Sequence, residues 1–295
     1  MDRIARTATL EIAYEQSGPE HGTPVILLHG FPDDVRTWDG VAPKLAEAGL
    51  RVIVPWLRGY GKTRFLDPAT PRSGQQAALG ADLLALMDAL GIGRALLAGY
   101  DWGGRAACIV SALWPERVAG LVTINGYNIQ NIPACFTPTD ADQEYRHWYQ
   151  WYFQTERGRN GLTADRDGIC RKLWRLWSPN WVFDDVTYAA TAASFQNPDF
   201  VDVVIQSYRH RHRAAPGDPA LAPIEARLEA QPPIPVPTIV LHGLADGVGP
   251  PSLEDREAQH FTGTYFRELV PLAGHFLPRE TPEKVVEAIG KLAGF

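Results

Sequence analysis

No uninterrupted apolar run in this 295-residue sequence reaches the length of a membrane span, and Met1 to Leu10 carry charges without the apolar stretch of a secretory leader. A cytoplasmic protein without membrane contact is therefore expected. Cysteine is scarce: Cys108, Cys135 and Cys170 are odd in number, widely separated and without a C-x-x-C spacing. That usage implies neither a disulfide framework nor a zinc site. Cationic excess is missing as well, since the formal net charge is −6 and the isoelectric point near 5.8, a balance that argues against a nucleic-acid binder. The pair His210 and His212 has no further ligands beside it, and Arg58-Gly59-Tyr60-Gly61-Lys62-Thr63 lacks the first glycine of a phosphate-binding loop. Neither a cofactor nor a metal is expected.

What the sequence does have is enough apolar residue, 45%, for one large core. Apolar runs bounded by turn residues occur at Val25–Leu28, Val52–Val54, Ala95–Ala98, Leu121–Ile124, Thr238–Leu241 and, interrupted by charge, Phe266–Val270. Helical periodicity lies between and after them, at Trp38–Ala48, Gln75–Leu90, Arg105–Leu113 and Glu283–Leu292. Strands alternating with helices predict an α/β fold with a mainly parallel sheet wrapped on both faces, and Ala8–Glu15 is expected as an added edge strand. The alternation stops at Asn128 and resumes after the proline-rich Pro232–Pro237. The expected organisation is a core segment 1–127, an inserted helical cap 128–235 and a second core segment 236–295. A cap over the C-terminal ends of parallel strands would shield a site there from water. Aromatic residues concentrate between Tyr145 and Tyr208, which points to an aromatic-lined cavity, although core packing is the commoner use of such rings.

Gly99-Tyr100-Asp101-Trp102-Gly103-Gly104 has the form of a nucleophile elbow, with aspartate where a serine hydrolase carries serine. A carboxylate does not usefully attack esters, but it displaces leaving groups at saturated carbon to give an alkyl-enzyme ester that water must hydrolyse. Asp101 would equally serve as the cap of the following helix. Asp246 and His275 sit just past the fifth and sixth strand candidates, in the chain order nucleophile, acid, histidine. His275 would take a proton from water while Asp246 fixes its tautomer. Taken singly, each also reads as an ordinary loop residue. His29-Gly30-Phe31-Pro32 follows a strand as well, so the backbone N–H groups of Phe31 and Trp102 are candidates for an oxyanion hole, and Pro32 restricts the backbone of Phe31. His29 reads as structural.

Together these segments, with Arg58-Gly59-Tyr60-Gly61 and Trp114-Pro115-Glu116-Arg117-Val118, resemble the epoxide hydrolases of the α/β-hydrolase superfamily. The resemblance extends more faintly to Tyr149–Gln154 and Ser207-Tyr208-Arg209, where it implies that Tyr149 and Tyr208 polarise the epoxide oxygen. Independently, Tyr145, Trp148, Tyr149, Tyr152 and Phe153 are spaced as one helical face, and so are Phe200, Val204 and Tyr208. Phenols can donate to a developing alkoxide without prior protonation. Phe31, Trp102 and Trp148 are candidates for contact with a small-molecule substrate, and a homo-oligomer is compatible with the sequence.

The implied reaction is hydrolysis of an epoxide to a vicinal diol. Dehalogenases are the first alternative: the Trp102 indole resembles a halide donor of haloalkane dehalogenases, although Phe31 stands where their asparagine does. Arg105 and His147-Trp148 are similar to positions of haloacetate dehalogenases, which carry an arginine where this chain has Trp102. A non-catalytic ligand-binding protein on the same fold is the second alternative. Trp56 and Asn125–Gln130 depart from the epoxide hydrolase pattern and are expected to reshape the pocket. The basic stretches Arg157–Arg175 and Tyr208–Arg213 read as solvated cap surface.

Overall fold

A computed structural model of the chain describes residues 3–295, so the first two residues of the expected 1–127 segment lie outside it. The apolar runs form strands: β1 Arg3–Arg6, β2 Leu10–Ser17, β3 Pro24–Leu28, β4 Arg51–Pro55, β5 Arg64–Phe65, β6 Ala95–Tyr100, β7 Val118–Ile124, β8 Thr238–Gly243 and β9 Tyr265–Val270. Their spatial order is β1-β2-β4-β3-β6-β7-β8-β9, with β5 paired to β2. From β4 to β9 every pairing is parallel. β3, β6 and β7 are apolar almost throughout because both faces of a parallel sheet are covered. The expected edge strand is β2. It lies one place inward, since β1 pairs antiparallel along its outer side. β1 and the two-residue β5 carry mostly charged or exposed side chains, so no apolar run announces them.

Helices α1 Ala42–Glu47, α2 Gln76–Ala89 and α3 Asp101–Leu113 serve the first half of the sheet. Between β7 and β8 run α4 Ala141–Arg146, α5 Trp148–Phe153, α6 Glu156–Ala164, α7 Arg166–Trp177, α8 Asp185–Ala192, α9 Phe200–Arg211 and α10 Ala222–Glu229. Helices α11 Leu277–Glu280 and α12 Pro282–Ala293 close the chain. Among the described residues, no helix is long and apolar enough to cross a membrane. The expected helix 38–48 is shortened to α1, because Pro43 is accommodated only in a first turn. α3 begins four residues earlier than its apolar periodicity implied, its two glycines being held helical by packing.

The inserted helices are short and sharply started. Asp140, Thr155, Asp165 and Asp184 each accept a hydrogen bond from the backbone N–H three residues on, satisfying donors that the helix leaves open. The expected continuous face from Tyr145 to Phe153 is broken at His147, which ends α4 and starts α5. The break turns Tyr145 outward to 78% exposure, while Tyr149 and Phe153 remain buried. The face of Phe200, Val204 and Tyr208 on α9 is buried as expected. At the end of α7 the Trp177 carbonyl accepts the backbone N–H groups of Gly247, 2.9 Å, and His275, 3.1 Å. The insertion is thereby bonded to the loops after β8 and β9.

Candidate active site

Four neighbouring strands end side by side, and the residue just past each C-terminal end, or a few beyond it, faces a common point: Asp101 after β6, Asn125 after β7, Asp246 after β8 and His275 after β9. This is the crevice where open parallel sheets place ligands. Asp101 adopts φ +50°, a left-handed backbone that costs a non-glycine residue energy and holds its side chain clear of the turn. The turn closes tightly. A Cβ at Gly103 would lie 2.2 Å from the Leu28 carbonyl oxygen, and one at Gly30 would lie 2.5 Å from the Asp101 Cβ. One carboxylate oxygen of Asp101, Oδ1, accepts the Phe31 backbone N–H at 2.8 Å, and the N-terminus of α3 favours its negative charge. The other oxygen, Oδ2, is 3.9 Å from His275 Nε2, beyond hydrogen-bond length.

His275 Nδ1 bonds Asp246 Oδ2 at 3.0 Å, so the neutral ring carries its proton on Nδ1 and leaves Nε2 basic. Nε2 is buried and has no hydrogen-bond partner among the described residues. Burial opposes the imidazolium, but Asp246, through its charge and this hydrogen bond, and then Asp101 outweigh it and raise the His275 pKa above the ordinary value. Burial likewise opposes the Asp246 carboxylate. His275, through its charge and its hydrogen bond, together with the nearby His242 ring, prevails and holds Asp246 well below the usual carboxylate range. Asp246 also accepts Asn125 Nδ2 at 2.7 Å and the backbone N–H groups of Val248, 2.7 Å, and Gly249, 3.3 Å. His29, by contrast, is buried, lowered by desolvation to about 4 and spent on Gly30 and Leu57, in keeping with a structural role.

Tyr149 and Tyr208 meet above the elbow with ring centroids 5.3 Å apart at 90°. Burial pushes Tyr149 up to about 12 and Tyr208 well above the ordinary phenol value, so both are protonated donors at neutral pH. Gln150 Nε2 donates to the Tyr149 oxygen at 3.1 Å, and Gln150 Oε1 bonds His212 Nε2 at 2.9 Å. The aromatic residues expected to line a cavity are packed against one another. Phe31, Trp102, Trp177 and Tyr208 close ring on ring, Phe31 lying 5.7, 6.0 and 5.5 Å from the other three, because such rings bury more surface against one another than around a void. A cavity of about 410 Å³ opens beside them instead, walled by Asp101, Arg105, His147, Tyr149, Arg211 and His275 among others.

Several expectations change accordingly. The side chains of Phe31, Trp102 and Trp148 are not on the cavity wall; Trp148 is half-buried against Tyr149 and Tyr152. Trp56 is buried on Ser194, whereas Asn125 and Asn128 do reach the wall. Arg159, Arg171 and Arg209 pair with Asp202, Asp185 and Glu156 on the outside of the insertion. Arg211, read as solvated surface, faces the cavity. His210 and His212 are half-buried, and the described residues contain no cluster able to hold a metal ion. Sequence reasoning missed Gln150 and Arg211 as site residues and read Asn125 only as reshaping the pocket. Asn125 was findable from its place after an apolar strand, and Arg211 from its position three residues beyond Tyr208 on one helix.

Comparison with known proteins adds a family and several relatives. Residues 23–281 match the family described as alpha/beta hydrolase fold. Epoxide hydrolase A of Mycobacterium tuberculosis is 27% identical over 98% of this chain and 95% of its own length. Epoxide hydrolase B of the same organism is 33% identical over 65% of this chain and 58% of its own. A crystal structure from Klebsiella pneumoniae subsp. pneumoniae, provisionally assigned as an epoxide hydrolase, superimposes with a TM-score of 0.97 at 44% identity, covering 100% of this chain and 97% of that one.

Proposed function

Since this chain belongs to the α/β-hydrolase fold family and is a hydrolase, we propose that it converts epoxides to vicinal diols through an ester on Asp101. Asp101 Oδ2 attacks an epoxide carbon; the carbon–oxygen bond breaks and its electron pair passes to the ring oxygen, which takes a proton from Tyr149 or Tyr208. His275 Nε2 then removes a proton from water, whose oxygen adds to the Asp101 carboxyl carbon. The Phe31 N–H, already 2.8 Å from Oδ1, stabilises the resulting oxyanion together with the N–H of Trp102. The diol leaves with the imidazolium proton, and the carboxylic acid formed on Asp101 restores the tyrosine. Net consumption is one water.

The observation that carries this reading is the split engagement of Asp101: one oxygen held by Phe31, the other turned towards an imidazole whose far nitrogen is bonded to Asp246. An acyl-transfer reading has no serine to use at the elbow. The halide reading gains little support, because the Phe31 side chain is a buried hydrocarbon where a second donor would be needed. We place the reaction in the cytoplasm, with a small-molecule substrate, a reading in keeping with three unpaired cysteines. The test is styrene oxide with His275→Gln: intact mass is expected to rise by one substrate, with no such adduct persisting in the wild type. Wild-type protein inert towards a broad epoxide panel, or releasing halide from organohalides instead, would sink the proposal.

A further inference from the structure

Charge around the cavity is unevenly matched. Glu254 pairs with Arg256 at 3.0 Å and Arg267 with Asp255 at 4.0 Å. Asp246 is fully bonded, as described, and Glu257 accepts the Tyr127 N–H at 3.1 Å while lying in the field of Arg267. Two guanidinium groups on the wall are not matched. Arg105 is 6% exposed, and its one hydrogen bond among the described residues runs from Nε to the Asn128 carbonyl at 3.2 Å, leaving the terminal nitrogens unspent. The Arg211 side chain is half-buried, and its guanidinium makes no hydrogen bond or ion pair with any described residue. Neither has a carboxylate oxygen within 4.0 Å.

Each of these arginines is built onto an element of the proposed chemistry. Arg105 is four residues beyond Asp101 on α3, and Arg211 is three beyond Tyr208 on α9, so each shares a helix face with a reacting group. The two also sense each other. Burial depresses the Arg105 pKa, Asp101 counteracts it, and Arg211 adds to the depression. A buried cation whose terminal nitrogens lack a partner is costly, and a site that keeps one beside a nucleophile, with a second, half-buried guanidinium on the same wall, has a use for a bound anion.

We infer that the epoxide this protein opens bears a carboxylate, held between Arg105 and Arg211 in the polar cavity beside Asp101. Guanidinium groups present paired N–H donors that match a carboxylate's two oxygens. This inference rests on the epoxide reading for the reaction, but the site itself can be tested without it.

Glycidate and glycidamide are nearly isosteric epoxides that differ in charge. Wild-type kcat/KM is expected to favour glycidate by about tenfold or more, and Arg105→Met and Arg211→Met are each expected to cut that ratio by about tenfold. A ratio at or below one in the wild type, or a ratio that neither variant changes, overturns the inference. Arg211→Met removes no hydrogen bond to the described protein, so it serves even if Arg105→Met folds poorly. Binding is measured in parallel with the unreactive pair cyclopropanecarboxylate and cyclopropanecarboxamide. Protein that opens no epoxide yet binds the carboxylate more tightly, and loses that preference in the arginine variants, would fail the proposed reaction and keep the anion site. Equal binding of the two would overturn the anion site whatever happens to styrene oxide.

Discussion

The two walls over Asp101 are made differently. On one side Phe31, Trp102, Phe153, Trp177 and Tyr208 are buried in ring-to-ring contact. On the other, Arg105, His147, Arg211 and His275 face an open cavity. Aromatic residues in a cap invite the idea of an apolar binding pocket, yet here the rings pack against one another and against Tyr149 and Tyr208. The polar wall is the one a substrate would touch. Cohesion therefore falls to one side, while the proposed reacting groups Asp101, Tyr149 and His275 share the other with the two arginines.

That division can be broken by mutation. The largest effect is expected at the seam: Asp101→Asn should lower turnover of styrene oxide by about 10⁴-fold or more, as for loss of a covalent nucleophile. On the aromatic side, Trp177→Ala should cost about 3–5 kcal/mol of unfolding free energy, measurable in denaturant, because a fully buried indole leaves a cavity. An equally destabilising Arg211→Met would contradict the comparison. Tyr149→Phe should lower kcat by about 100-fold and exceed Tyr208→Phe, since Tyr149 alone of the two reaches the cavity wall; equal losses would mean that the phenols share the proton.

A smaller effect is a shift along the pH axis. His275 must be neutral to accept a proton, and its pKa is raised, so activity should fall as pH drops through a value above the ordinary imidazole one. Asp246→Asn removes the largest raising influence and should move that acid limb to lower pH in a pH–rate profile, along with a loss of rate. An unmoved limb would assign the titration to another group.

The sequence made the sheet and three converging side chains legible, because each lies in a short turn directly after an apolar run and the chain order is restrictive. Chain geometry over longer spans was less legible. Arg211 sits in an alternating run of arginine and histidine that looks solvated, and only the rotation of α9, fixed by Phe200, Val204 and Tyr208, turns it inward. The break at His147 depends on packing outside its own segment: Gln143 bonds both the His147 ring and the Val248 carbonyl. β1 escaped notice because Arg3 to Arg6 offers only one buried side chain.

The Trp177 carbonyl, which receives the backbone N–H groups of Gly247 and His275, limits how molecules can come and go. Swinging the end of α7 away from the sheet would sever the anchors of the two loops bearing Asp246 and His275. In the proposed reaction, exchange of epoxide for diol would have to leave these two bonds intact, so that opening by side-chain rotation costs less than displacement of α7.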